Sequence, residues 1–349
     1  MRAMLLQRPT TARATPVGDW RPLELTDVPL PPVGDGDVLI RVSVCAVCRT
    51  DLDVAEGRLS APRYPVTPGH QIVGEVVATG AAVTTAHVGD RVGVAWIHWA
   101  CGVCRWCRAG TENLCPRFQS TGCDSNGGYA EYMVAPADFI YAIPDALDDV
   151  SAAPLLCAGA IGWRSLRLAQ LQDGDALGLT GFGASAHLVL QLARHRFPQS
   201  PVYVFARNAG ERAFAMQLGA AWAGDTADDA PGPLAAIIDT TPAWKPVVEA
   251  LPRLMPGGRL VINAIRKTNA DRAELERIDY ATHLWMEREI KSVANVTRRD
   301  VRELLSIAAE TGLRPETTRM KLEDANTALA NLRAGRDVRG ATVLTVAPR

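Results

Sequence analysis

Four cysteines, Cys101, Cys104, Cys107 and Cys115, stand in a C-x2-C-x2-C-x7-C spacing. Thiolates this close on one short loop can wrap a tetrahedral zinc ion. A shell of four thiolates leaves no open position, so such a site would be structural. An iron–sulfur cluster is the rival, because it also uses C-x2-C-x2-C, although no second cluster motif follows here. Two disulfides are the bland reading, disfavoured in a reducing compartment.

A second set of ligand types is scattered along the chain. Val47-Cys48-Arg49-Thr50-Asp51-Leu52 puts a soft metal ligand, a guanidinium, a hydroxyl and a carboxylate side by side, with Asp53 next. His70 stands on the tight turn Pro68-Gly69-His70-Gln71, and Cys157 lies in Ala153-Pro154-Leu155-Leu156-Cys157-Ala158-Gly159. Catalytic zinc typically takes three protein ligands and keeps one position open for water or substrate. Cys48, His70 and Cys157 supply that number. Taken singly, a lone histidine is more often a satisfied polar residue, and a lone cysteine in an apolar run is more often core. Cys45 and Cys123 read as core or incidental thiols.

A third group is built for phosphate. Gly178-Leu179-Thr180-Gly181-Phe182-Gly183-Ala184-Ser185-Ala186 follows an apolar strand and opens a helix, and it contains G-x-G-x-x-A. The first glycine makes the turn, the second lets backbone approach a pyrophosphate at the helix N-terminus, and Ala186 permits close packing. The second strand of such a unit ends in Val204-Phe205-Ala206-Arg207-Asn208, with no acid where an NAD site places one on the ribose. Ala206 leaves room and Arg207 offers a cation for a 2′-phosphate, which favours NADP over NAD. The alternative is an Arg207 that is solvated or stacks on adenine with NAD bound. Gly181, Phe182, Gly183, Ala184 and Arg207 are therefore expected at the cofactor, joined by Asn263, Ala264 and Ile265 at a later strand end.

The elements that position these groups change character along the chain. Up to about residue 150, short β-branched runs (Val38–Val44, Ile72–Ala78, Asp90–Ala95, Tyr129–Val134, Phe139–Ile143) are broken by turn signals such as Gly34-Asp35-Gly36 and Gly127-Gly128. From about 151–160 apolar strands alternate with helical patterns: Ala176–Thr180, helix 184–196, Val202–Ala206, helix 210–218, Ala235–Asp239, helix 244–254, Leu260–Ala264. That alternation predicts a doubly wound parallel sheet. The tail adds helices at 300–311 and 323–333 and a strand at Ala341–Val346.

The totals narrow the function class. The chain has 349 residues, enough for two domains; 48% are hydrophobic and 21% charged, as in ordinary soluble globular proteins. A net charge of −1 gives no basic field for nucleic acid. No apolar run approaches the ~20 residues of a membrane span, and no signal-length h-region opens the chain. A cytoplasmic location is expected, with thiols free or metal-bound.

Read together and in order, Cys48-Arg49-Thr50-Asp51, Gly69-His70, the four-cysteine lobe, Gly127-Gly128-Tyr129-Ala130-Glu131-Tyr132, Cys157 and the glycine turn resemble the zinc-dependent medium-chain alcohol dehydrogenases. The resemblance runs nearly end to end. It implies an α/β protein with a GroES-like, β-rich catalytic domain (1–157 and 294–349, with a structural-zinc lobe at about 98–116), a Rossmann domain (158–293), and a cleft between them. It also implies two zinc ions per chain, one on Cys48, His70 and Cys157. Asp51 would orient a ligand such as His70, Arg49 would face the pyrophosphate, and Thr50 would relay the alcohol proton. Trp96 and Ile97 or Trp99 would narrow the substrate pocket, core packing being the alternative for the tryptophans. The chain departs from the family's pattern in three places. Gln71 replaces a glutamate, Asp53 stands where many relatives have a relay histidine, and Ala341 follows Gly340 where relatives often have arginine, so that either Arg339 compensates or one phosphate contact is absent.

The expected activity is reversible hydride transfer between a small alcohol and NAD(P), by a homo-oligomer. The rivals are a zinc-free quinone or enoyl reductase on the same scaffold and a non-catalytic nucleotide-binding protein.

Overall fold

The computed structural model describes residues 1–10, 19–335 and 340–346. The chain divides into two compact units, Met1–Cys157 with Val296–Arg349, and Ala158–Asn295. The second boundary thus falls at Asn295/Val296 rather than at 293/294.

The first unit is organised on the strand Asp37–Ala46, whose run of Val, Leu and Ile is buried on both faces. Along one edge it pairs antiparallel with Ile72–Thr79. Along the other it pairs with Tyr132–Pro136 over residues 37–41 and with Ala341–Thr345 over residues 44–46. The sheet continues through Arg91–Val94 to Ile140–Ala142 on one side and to Thr317–Lys321 on the other. One register detail sets up the site: Cys45 lies opposite Ile72, and Ala46 N–H donates to the Gln71 carbonyl at 2.9 Å. The chain just past one strand and the chain just before the other therefore emerge side by side.

The second unit holds a six-stranded sheet in the spatial order Trp222–Gly224, Val202–Phe205, Leu177–Thr180, Leu234–Asp239, Leu254–Ile262, Glu289–Ser292. Every neighbouring pair is parallel. Counted along the chain this order is 3-2-1-4-5-6, the Rossmann arrangement, with the winding reversing between Leu177–Thr180 and Leu234–Asp239. Parallel strands covered on both faces read as unbroken apolar runs, as all four buried residues of Leu177–Thr180 do.

Element edges moved for local reasons. The helix expected at 184–196 begins at Ala186, after the glycine turn. The one expected at 244–254 ends at Ala250; Pro252 follows in a single 3₁₀ turn, and the next strand already starts at Leu254. Tyr129 precedes its strand rather than starting it. The strands Trp222–Gly224, Glu289–Ser292 and Thr317–Lys321 were not expected, being short or rich in polar residues that carry no period-2 apolar signal. Among the described residues, no helix is long and apolar enough to cross a membrane. Arg339 lies outside the described residues.

Candidate functional site

Cys48 caps the helix Arg49–Ala55, two residues beyond the central strand. His70 sits two residues before Ile72–Thr79, on a turn where Gly69 has a φ of +96°. A Cβ at Gly69 would meet the Tyr129 ring at 2.4 Å, so glycine is required there twice over. The strand register brings these two ligands together. Cys157 arrives from elsewhere. The helix Asp149–Pro154 is started by Asp148, whose carboxylate accepts from Ser151 N at 3.0 Å. Pro154 has no N–H to give to the ladder, and the chain widens into a π-turn over Leu155–Gly159 that carries Cys157.

The ligand atoms of Cys48, His70 and Cys157 all lie within 4.8 Å of one another. His70 is fully buried; its Nδ1 is 2.9 Å from Asp51 Oδ1, and its Nε2 is buried without a hydrogen-bond partner. A buried ring nitrogen left unpartnered beside two sulfurs fits a metal ligand and is costly otherwise. The Cys157 thiol holds Cys48 well below the usual thiol range against the effect of burial, while Cys157 is pushed well up by Cys48 and by burial. Burial alone would pull the His70 imidazole down, but the Asp51 carboxylate outweighs it and raises the ring to about 10. A cation bound here would displace those protons.

The Thr50 hydroxyl lies 3.6 Å from Cys48 Sγ. Trp96 meets the His70 ring edge-on, the ring centroids 4.9 Å apart, and Ile97, which opens the strand Ile97–Trp99, is fully buried. Gln71 is buried. Trp99 is half-buried, with the Arg117 guanidinium 5.7 Å from its ring. Asp53 is neither solvated nor free, because its carboxylate binds Arg58 at 2.6 Å and is 1% exposed. Arg49 is exposed.

The four-cysteine loop is compact in a different way. The Sγ atoms of Cys104 and Cys107 are 3.6 Å apart and those of Cys101 and Cys107 3.9 Å, too far for disulfides. A tetrahedral ion with Zn–S bonds of about 2.3 Å sets its sulfurs about 3.8 Å apart. A cluster of several irons would hold them wider. The Arg117 side chain and nearby backbone N–H groups bring Cys101 down to about 5, and burial with the neighbouring Cys104 raises Cys107 to about 12. All eight cysteines are free.

In the second unit, Gly181 turns at φ +77° and Phe182 is buried against Phe214. Gly183 is exposed and Ala184 half-buried at the mouth of the helix. Ala206 is buried, Arg207 is exposed, and Arg212 donates to both of their carbonyls at 2.7 and 2.9 Å. The Asn263 side chain turns inward to Ser165 Oγ at 2.8 Å, and its N–H goes to the Asp239 carbonyl. Ala264, which follows, is half-buried and Ile265 is exposed. Sequence reasoning missed two features. Asp239, at the strand end where the winding reverses, accepts from Thr180 at 2.6 Å and Thr241 at 2.8 Å and pairs with buried Lys267. Tyr129, quoted above only as part of a motif, donates to Asp51 Oδ2 at 3.0 Å. A polar residue closing an apolar strand was the available signal for the first; nothing local pointed to the second.

Comparison with known proteins adds to this geometry. Residues 34–145 match the family model of the alcohol dehydrogenase GroES-like domain. A probable alcohol dehydrogenase AdhA of Mycobacterium tuberculosis is 44% identical over 333 residues, covering 94% of each chain. An alcohol dehydrogenase of Geobacillus stearothermophilus is 34% identical over 92% of this chain and 95% of its own. Among solved structures, the cobalt- and zinc-bound thermostable alcohol dehydrogenase of Pyrobaculum aerophilum superposes with a TM-score of 0.84 at 25% identity, covering 100% of this chain and 99% of that one.

Proposed function

The chain belongs to the medium-chain, zinc-type alcohol dehydrogenase family, and from that premise we propose that it interconverts a small alcohol and its aldehyde or ketone with zinc and NAD(P). The observation that carries this reading is the unpartnered His70 Nε2 buried beside Cys48 and Cys157. A zinc ion held there would supply a Lewis acid that lowers an alcohol's pKa toward neutrality, and a bound nicotinamide would supply the hydride acceptor.

The chain's own groups do the rest. Cys48, His70 and Cys157 hold the metal. Asp51 takes the His70 Nδ1 proton in a hydrogen bond and so fixes Nε2 as the ligating nitrogen. Thr50 Oγ1 lies close enough to the ligand sulfur to receive the substrate proton and pass it on. Asp53 is buried and paired with Arg58, and the outward path is proposed to start from Thr50. Trp96 and Ile97 wall the site with apolar surface and keep water out. The Gly181–Ala184 turn would cradle a pyrophosphate, and the acid-free end at Ala206 with Arg207 favours NADP. The four-cysteine loop holds a second, structural zinc. A zinc-free reductase would have no use for the Cys48–His70–Cys157 set.

The test is metal analysis of the purified protein beside a panel of alcohols, aldehydes and ketones assayed with both cofactors. Zinc near two equivalents with alcohol-dependent formation of reduced nicotinamide supports the reading. Zinc-independent turnover contradicts it.

A further inference from the structure

Asp51 is 1% exposed and its carboxylate receives three hydrogen bonds. Oδ1 faces His70 Nδ1 at 2.9 Å; Oδ2 accepts the Cys48 N–H at 2.8 Å and the Tyr129 hydroxyl at 3.0 Å. Two of these donors belong to the ligand residues themselves. The third comes from Gly127-Gly128-Tyr129, a stretch that contributes no ligand.

Tyr129 is fully buried, and its backbone is committed on both sides: its N–H donates to the Pro68 carbonyl at 3.0 Å, and its carbonyl accepts from Met4 N–H at 2.8 Å. Its ring lies in the space that a side chain at Gly69 would fill. The residue thus grips the histidine turn through the main chain at Pro68 and through the ring at Gly69, and then reaches past it to Asp51. A ring needed only for packing would be better without a hydroxyl, since a buried hydroxyl is costly unless it is bonded. Its one bond goes to Asp51. Two bonds on Oδ2 fix the carboxylate plane, and that plane aims Oδ1 at His70.

We propose that Tyr129 is a positioning residue of the Cys48–His70–Cys157 site, acting through Asp51 to hold the His70 ring in its ligating orientation. The inference rests on the metal reading above. Partners one step behind a metal ligand typically set affinity by 10- to 100-fold, and Tyr129 stands one bond further back. Tyr129→Phe keeps the ring and removes only the hydroxyl.

The experiment follows zinc release from the loaded protein into a chromogenic chelator. The phase absent from Cys157→Ala reports this site; the remaining phase reports the four-cysteine loop and serves as an internal control. In Tyr129→Phe, release from the first site is expected to quicken on the order of tenfold, with the second unchanged. In an Asp51→Asn background the same substitution is expected to add nothing, because the two residues act as one unit. Unchanged release in Tyr129→Phe, equal acceleration of both phases, or additive effects with Asp51→Asn would each overturn the inference. A parent protein with no Cys157-dependent phase would overturn the metal reading itself and this inference with it.

Discussion

The four-cysteine loop draws its ligands from the single stretch Cys101–Cys115, and three of its four thiols are only half-buried. Cys48, His70 and Cys157 come from a helix start, a turn before a strand and a π-turn, and His70 and Cys157 are buried. The first arrangement has little core of its own, so a bound ion would have to hold the loop. The second is assembled by strand register within a buried core, so there the protein would hold a metal and could leave one position for chemistry. On the proposed reading the same element does opposite work in the two places, and substitutions should separate stability from activity.

The largest effect is expected from Cys157→Ala. Turnover should fall to background while circular dichroism and the thermal midpoint stay close to the parent's, because the core around the site remains. An unfolded variant would erase the contrast with the loop.

Cys104→Ser should do the reverse. With the closed shell broken, a loss of about 2 kcal/mol would lower the midpoint by roughly 4–8 °C in a thermal melt, with loss of the loop's zinc. A variant as stable as the parent with full zinc would remove the structural role.

Asp51→Asn sharpens the comparison, since among the described residues the hydrogen bonds of the loop's cysteines involve no carboxylate. Zinc affinity at the His70 site should weaken by about 10- to 100-fold in competition with a chelator, and the loop's affinity should not move.

The smallest effect is expected at the cofactor turn, where the contact is an exposed side chain. Arg207→Ala should weaken NADPH binding by about tenfold or less and leave NADH unchanged, while Ala206→Asp should turn preference toward NADH. Equal effects on both cofactors in a fluorescence titration would show that Arg207 does not read the 2′-phosphate.

How much of this was legible in the sequence follows the same division. The cysteine loop and the glycine turn are contiguous, so spacing alone exposes them. The alternation of strands and helices in 176–264 announced the parallel sheet, because strands covered on both faces are apolar throughout. The dispersed site was legible only as a set of ordered motifs; nothing local says that Cys45 pairs with Ile72 or that Pro154 leads into a π-turn. Asp53 stands where many relatives have a relay histidine, and its burial and its pairing with Arg58, five residues later, were not visible in the sequence. The Asn263 amide reaches Ser165, which is distant in sequence, so that bond could not be read locally. The Tyr129–Asp51 bond spans 78 residues and has no periodicity to betray it.

The central claim is that the ion on Cys48, His70 and Cys157 is the one that turns over substrate. It is tested most directly by partial zinc removal: the chelator takes the Cys157-dependent zinc first or last, and turnover is measured against the zinc remaining at each site. Turnover that falls in step with that zinc, is indifferent to the loop's zinc while the fold persists, and returns when zinc is added back is the predicted result. Full turnover in protein stripped of the Cys157-dependent zinc would contradict it.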